Sequence, residues 1–372
     1  MSRAVITEAG YGDYFTSPVK SFPANGCGLF EPPGWGADSE GAGPSGHLTS
    51  SSRPDVGPEH LSSRGRHLIT TTGHGARAPS SSARFTAPVL PELCVATGAR
   101  LRISTSWRDR DRASLLSSDN VGPMPIEIPA AEGTAEALVA RPSTTTGPVP
   151  GVILYMDAFG LRPRIQEMAQ RIADWGYVVL APNVFYRDGS IAELAPAVDM
   201  STQEGREAAG KAAFPRVGRL TPDKALADIN AWVSALAGLD GVAPGPIGTT
   251  GYCMGARLAV RSATSRPDVV AACGGFHGGG LATDEPDSPH VKLGNARARF
   301  VFGHADHDRS MAPDAVARLG EALQTAGLEA TNEIYAGAPH GYTMADTSVF
   351  NPEATERHFQ ELRALLDATL KG

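Results

Sequence analysis

Cys253 stands between two glycines in the run Gly248-Thr249-Thr250-Gly251-Tyr252-Cys253-Met254-Gly255-Ala256-Arg257-Leu258-Ala259. The run reads as the end of a strand, a tight turn and a helix that starts at once. This is the G-x-Nu-x-G form of a nucleophile elbow, with a thiol as Nu. A nucleophile on so sharp a turn takes a strained backbone conformation, and the residues two before and two after it must lack a Cβ for strand and helix to approach. The first N–H groups of the helix favour a thiolate and any oxyanion formed beside it. The chemistry suggested is attack of sulfur on a carbonyl carbon. The competing reading is a buried Cys at a Gly-rich strand–helix junction.

A thiol nucleophile needs a base within hydrogen-bond reach, and the base needs an acid to orient it. Two later segments supply them, Gly303-His304-Ala305-Asp306-His307-Asp308 and Gly337-Ala338-Pro339-His340-Gly341-Tyr342, each after an apolar run that reads as a strand. His340 is the candidate base, and Asp306 or Asp308 the candidate acid. His277, in Phe276-His277-Gly278-Gly279-Gly280, is placed to line the same site. Tyr186 and Arg187 leave another strand on the same rim, with a surface ion pair as the competing reading. His304 and His307 flank Asp306 without further ligands at metal-binding spacing, so no metal site is expected. No organic cofactor is required either. Cys273 sits inside an apolar strand and belongs to the core.

The elements that position these residues begin after Met124. Ile126–Ile128 and Ala135–Ala140 read as antiparallel edge strands, and Gly151–Met156 and Tyr177–Ala181 as buried parallel strands. Between the latter, a helix from about Arg162 to Trp175 has Ile165, Met168, Ile172 and Trp175 on one face, with Gly176 as its cap. A polar, partly helical insertion runs to about Arg219. Thr221-Pro222 then caps a helix whose expected inner stripe is Leu226, Ile229, Val233 and Leu236. Further strands at Ile247–Thr250, Val269–Cys273, Phe300–Gly303 and Ala330–Tyr335 alternate with the elbow helix and with helices from about Pro313 to Ala326 and Pro352 to Leu370. Such alternation means a mostly parallel sheet with helices on both faces. Loops at the carboxyl ends of neighbouring parallel strands meet at one rim, which brings Cys253, the acid and His340 together.

The totals narrow the class. The chain has 372 residues, a net charge of −7 and four Cys with no CxxC pair. The acidic balance argues against nucleic acid or an anionic membrane surface as partner. No apolar run approaches the roughly 20 residues of a membrane span, and the start lacks a secretory h-region. A reducing cytoplasm suits a free thiol. Residues 1–121 are rich in Ser, Gly, Pro, Arg and Thr without useful periodicity, and are expected to be a disordered tail ahead of one domain at 122–372. Met124, the next Met after Met1, stands where patterned sequence begins, so the tail is also readable as a gene-model extension. Monomer and homodimer are both compatible with the sequence.

In Gly251-Tyr252-Cys253-Met254-Gly255, Trp175-Gly176-Tyr177-Val178-Val179-Leu180-Ala181-Pro182 and Gly337-Ala338-Pro339-His340-Gly341, the region from Met124 onward resembles the dienelactone hydrolase family of α/β-hydrolases. The resemblance implies an α/β-hydrolase fold and a cysteine hydrolase that opens an ester or lactone through a thioester. It makes Cys253 the nucleophile, His340 the base and Asp308 the acid, with Asp306 as the alternative. It also places the oxyanion on the N–H groups of Met254 and Ala158. Asp157, Tyr186, Arg187, Tyr252 and His277 become the residues expected near substrate. Two departures stand out: Asp157 occupies a position that is Glu in the best-known members, and Met344 aligns with an Arg that binds the substrate carboxylate there. The competing function is a non-catalytic thiol-sensing or ligand-binding module on the same fold.

Overall fold

The computed structural model describes residues 124–372, so the expectations for residues 1–121 lie outside the described residues. Eight strands form one sheet in the order β1-β2-β4-β3-β5-β6-β7-β8. They are β1 Met124–Ala130, β2 Gly133–Ala140, β3 Gly151–Tyr155, β4 Val178–Pro182, β5 Ile247–Tyr252, β6 Val270–Phe276, β7 Arg299–Ala305 and β8 Ala330–Tyr335. β1 and β2 are antiparallel, as is the β2–β4 pair, and the other pairs are parallel. From β3 the chain moves to β4 on one side and later to β5 on the other. The crevice above the carboxyl ends of β3 and β5 is therefore a topological switch point, where open α/β sheets bind ligands.

Seven helices flank the sheet among the described residues: α1 Pro163–Ala173, α2 Ile191–Leu194, α3 Gln203–Arg219, α4 Pro222–Ala237, α5 Met254–Ser265, α6 Pro313–Thr325 and α7 Pro352–Leu370. β5 shows how sequence alternation sorts them. A Cβ on Gly248 would lie 2.6 Å from Leu366 of α7, whereas one on Gly251 would lie 2.1 Å from the Gly255 carbonyl oxygen of α5. Even-numbered residues of β5 thus face α7 and odd-numbered ones face α5. Tyr252 follows the rule and meets His358 of α7, Oη to Nε2 3.2 Å.

Two sequence expectations need adjustment. Leu226 is 36 % exposed, and the buried stripe of α4 is Ala225, Asp228, Ile229, Trp232, Val233 and Leu236. Counting by 3.6 from Ala225 reproduces it, with Leu226 rotated about 100° off the face. Thr221 occupies the N-cap position but makes no side-chain cap bond, leaving Pro222 as the start signal. Beyond α1, Trp175 lies in the closing turn and packs edge-on against Phe359 of α7, centroids 5.8 Å apart. No helix among the described residues is long and apolar enough to cross a membrane.

Candidate active site

Cys253 sits at the junction of β5 and α5 with φ +54° and ψ −119°, a conformation that costs a non-glycine residue strain. Two close approaches hold it there. The Cβ clash at Gly251 is one. At Gly255 a Cβ would lie 2.4 Å from the Met156 carbonyl oxygen, so α5 could not rest against the end of β3. Met254 opens the helix, where the first N–H groups have no intrahelical partner. Ala158, in the loop after β3, lines the same cleft as Cys253 and Met254.

His340, in the loop after β8, borders the same spaces as Cys253 and faces its sulfur. Its Nδ1 donates to Asp308 Oδ2 at 2.6 Å. Burial disfavours its charge, but the facing Cys253 sulfur and Asp308 outweigh burial and hold its pKa well above the ordinary 6.5. Asp308 is buried too, which alone would raise its pKa. The hydrogen bond and charge of His340, with the Ser310 hydroxyl and N–H, bring it down to about 2. Ser310 Oγ and N donate to Asp308 Oδ1 at 2.7 and 2.8 Å, fixing the carboxylate.

Asp306 is used differently. Its carboxylate accepts from the backbone N–H groups of Gly337 and His307, at 2.8 and 2.9 Å, and its own N–H donates to Ala338 O at 2.7 Å. It stitches the loop after β7 to the loop after β8 and does not reach the ring of His340. His307, at φ +53°, carries the turn between the two aspartates.

The other expected site residues divide. His277 is fully buried at the end of β6, its Nε2 2.7 Å from Thr343 Oγ1 and its ring 5.4 Å from that of His340. Burial, and then the charge of His340, keep its pKa well below 6.5, so it is neutral beside the site. Asp157 is buried and held by Arg162, whose Nη1 and Nη2 lie 2.6 and 2.9 Å from its two oxygens. The structure does not bring Tyr186 and Arg187 to Cys253. They pair with Asp228, at 2.9 and 2.6 Å, and Arg187 also binds Glu132 at 2.8 Å. The strand they leave is β4, two places from β5 in the sheet. Tyr252 is likewise no cleft residue, because alternation along β5 turns its ring to α7. Cys273 is core, its thiol pushed up to about 12 by burial.

Sequence reasoning missed the cations that brace this site. Arg162 reaches from Asp157 to Asp346, Nε to Oδ2 2.5 Å, and so ties the loop after β3 to the loop after β8. Arg164 adds Nη2 to Thr343 O at 2.8 Å, and Arg216 of α3 holds Ala158 O at 3.1 Å. The five-residue gap from Asp157 to Arg162, spanning a turn and a helix start, was a readable signal for the first. Nothing in the sequence marked Arg216.

The space around Cys253 has two parts. A cleft of about 350 Å³ opens on one side, and a chamber of about 40 Å³ lies on the other. Ala158, Phe214, Cys253 and His340 border both, so Phe214 of α3 partly divides them. The polar insertion that carries α3 thus roofs the site. No three His, Cys, Asp or Glu side chains among the described residues form a metal-binding group.

This sheet order, with Cys253 on the elbow after β5, defines an α/β-hydrolase fold. Solved structures of that fold align at low identity: one titled m3DLH (21 % identical, TM-score 0.55, covering 68 % of this chain and 100 % of that one) and a dienelactone hydrolase-like promiscuous phosphotriesterase, P91, from metagenomic libraries (17 %, TM-score 0.55, 66 % and 98 %). At such identities they establish the fold. The model of the dienelactone hydrolase family matches residues 135–370, and the chain belongs to that family of hydrolases. Among its relatives, the carboxymethylenebutenolidase of Rhodococcus opacus is 25 % identical over 227 residues, covering 61 % of this chain and 83 % of the relative.

Proposed function

We infer that the protein hydrolyses a carboxylic ester or lactone by cysteine catalysis. The observation that carries this reading is His340, which faces the Cys253 sulfur on one side and lies 2.6 Å from Asp308 on the other. Cys253 Sγ attacks the carbonyl carbon, and the oxygen takes the negative charge against the N–H groups of Met254 and Ala158. As the carbon–oxygen bond breaks, His340 gives its proton to the departing alkoxide and leaves a thioester on Cys253. Water then attacks while neutral His340 accepts its proton, the acid is released and the thiolate returns. Asp308 holds the ring and stabilises its charge. The family membership and the Rhodococcus relative favour ester or lactone chemistry over a module that only senses thiols. A free catalytic thiol also fits a reducing cytoplasm.

A panel of p-nitrophenyl esters and small lactones tests the reading. Hydrolysis is expected for the native protein and loss of all of it in Cys253→Ala. Saturable labelling of Cys253 without any turnover would favour the thiol-sensing module instead.

A further inference from the structure

The two spaces that meet at Cys253 differ in size and in access. Every residue that lines the 40 Å³ chamber is buried or half-buried. The lining of the 350 Å³ cleft includes the exposed residues Asp284, Arg309 and Asp314, so the cleft opens to solvent. Phe159, Phe214, Met344 and Val349 wall the chamber, and Met344 is only 1 % exposed. One water-sized group needs about 10–15 Å³ of such space, which leaves the chamber room for roughly three heavy atoms.

Phe214 stands on the boundary between the two, placed there by its neighbours in α3. Gly210, one turn earlier, gives its ring a seat: a Cβ on Gly210 would lie 3.0 Å from Phe214 Cε2, so a side chain there would displace the ring. Arg216 ties the same turn to the loop after β3, with Nη2 3.1 Å from Ala158 O, and to the segment before α3, with Nη1 3.2 Å from Leu194 O. The partition is thus held in register with Cys253 and Ala158.

Hydrolysis in two halves assigns the spaces. The acyl group stays on sulfur after the alcohol has gone, and water must then reach the thioester. An enclosed space suits the group that stays, and an open one suits the alcohol that leaves and the water that follows. We propose that the chamber takes the acyl tail of the substrate and that Phe214 sets its length, so that the protein prefers esters of acids with up to about four carbons and accepts large alcohols. The proposal rests on the ester-hydrolase reading above and adds to it which side of the scissile bond is short and which residue sets the limit. Phe214 is a specificity residue here and takes no part in the bond-making steps. Arg206 also borders the chamber, its Nε 3.2 Å from Ser348 Oγ, so an uncharged series of esters isolates length from charge.

The test is the series 4-nitrophenyl acetate, propionate, butyrate and hexanoate, each kcat/KM divided by the ester's own spontaneous hydrolysis rate. Forcing extra methylenes against packed walls predicts a drop of roughly tenfold or more from butyrate to hexanoate. In Phe214→Ala the hexanoate-to-acetate ratio should rise by a similar factor, with Phe214→Leu in between. On the alcohol side, 4-methylumbelliferyl acetate should match 4-nitrophenyl acetate within a few-fold. A flat acyl profile in the native protein, an unchanged ratio in Phe214→Ala, or a larger alcohol costing more than a longer acyl tail overturns the proposal while hydrolysis itself stands. If the native protein cleaves none of these esters, the hydrolase reading falls and this proposal with it. The native profile and the alcohol comparison decide the matter even if the Phe214 variants fold poorly.

Discussion

Asp306 and Asp308, two residues apart in one loop, illustrate how neighbouring carboxylates receive different tasks. The fixed N–H groups of Gly337 and His307 occupy Asp306, while Asp308 turns inward to His340 and Ser310. Asp308→Asn should therefore lower kcat by about 10³–10⁴-fold, because the ring loses the partner that sets its tautomer and supports its charge. Asp306→Asn should lower stability only modestly, through a weakened charge-assisted bond, and leave kcat within a few-fold. Steady-state kinetics on both variants separates the two roles. The same carboxylate has a stability signature. Its folded pKa of about 2 lies below the ordinary 3.8. A lowered carboxyl pKa favours the folded state at pH above 3.8, and that contribution disappears as pH falls through about 2. The stability gap between the native protein and Asp308→Asn, on the order of 2 kcal/mol at neutral pH, should close over that window in denaturant titrations.

At the scale of elements, the site depends on close approaches that side chains would block. A Cβ at Gly251 or Gly255 would meet backbone atoms at 2.1 or 2.4 Å, and backbone cannot swing aside as a flexible side chain can. Gly255→Ala should yield a protein that fails to fold or melts far below the native one, as thermal denaturation would show. The loops themselves are braced by buried charge. Removing the cation in Arg162→Met leaves Asp157 buried without its partner, a loss of about 3–5 kcal/mol. It also frees the Ala158 loop from the His340 loop, so kcat should fall together with the melting temperature. This scale also shows what a sequence can reveal. The elbow, the strand–helix alternation and the order of Cys253, Asp308 and His340 were legible, because glycine spacing and hydrophobic period are local signals. Arg216, Phe214 and the reach of Arg162 to Asp346 were not, because those partners lie on other elements and only tertiary packing brings them together.

For the whole molecule, the decisive feature is the reversal at β3. It places Ala158 after β3 and Cys253 after β5 on the two lips of one crevice, with α3 closing over them. Among the described residues, 124–372, are the sheet, seven helices, the elbow and the residues named around both spaces. A protein of those residues alone is accordingly expected to melt in one cooperative transition and to hydrolyse esters at a rate comparable with the full chain. Calorimetry and kinetics on the two chains side by side check this. The central claim, that carbonyl transfer passes through sulfur at the elbow, is tested most directly by quenching a reaction with a slowly turned-over ester in acid and mapping the modified peptide by mass spectrometry. The expected result is a mass gain equal to the acyl group on Cys253, lost on adding hydroxylamine and missing in Cys253→Ala. Acylation of a different residue, or undiminished turnover by Cys253→Ala, would contradict it.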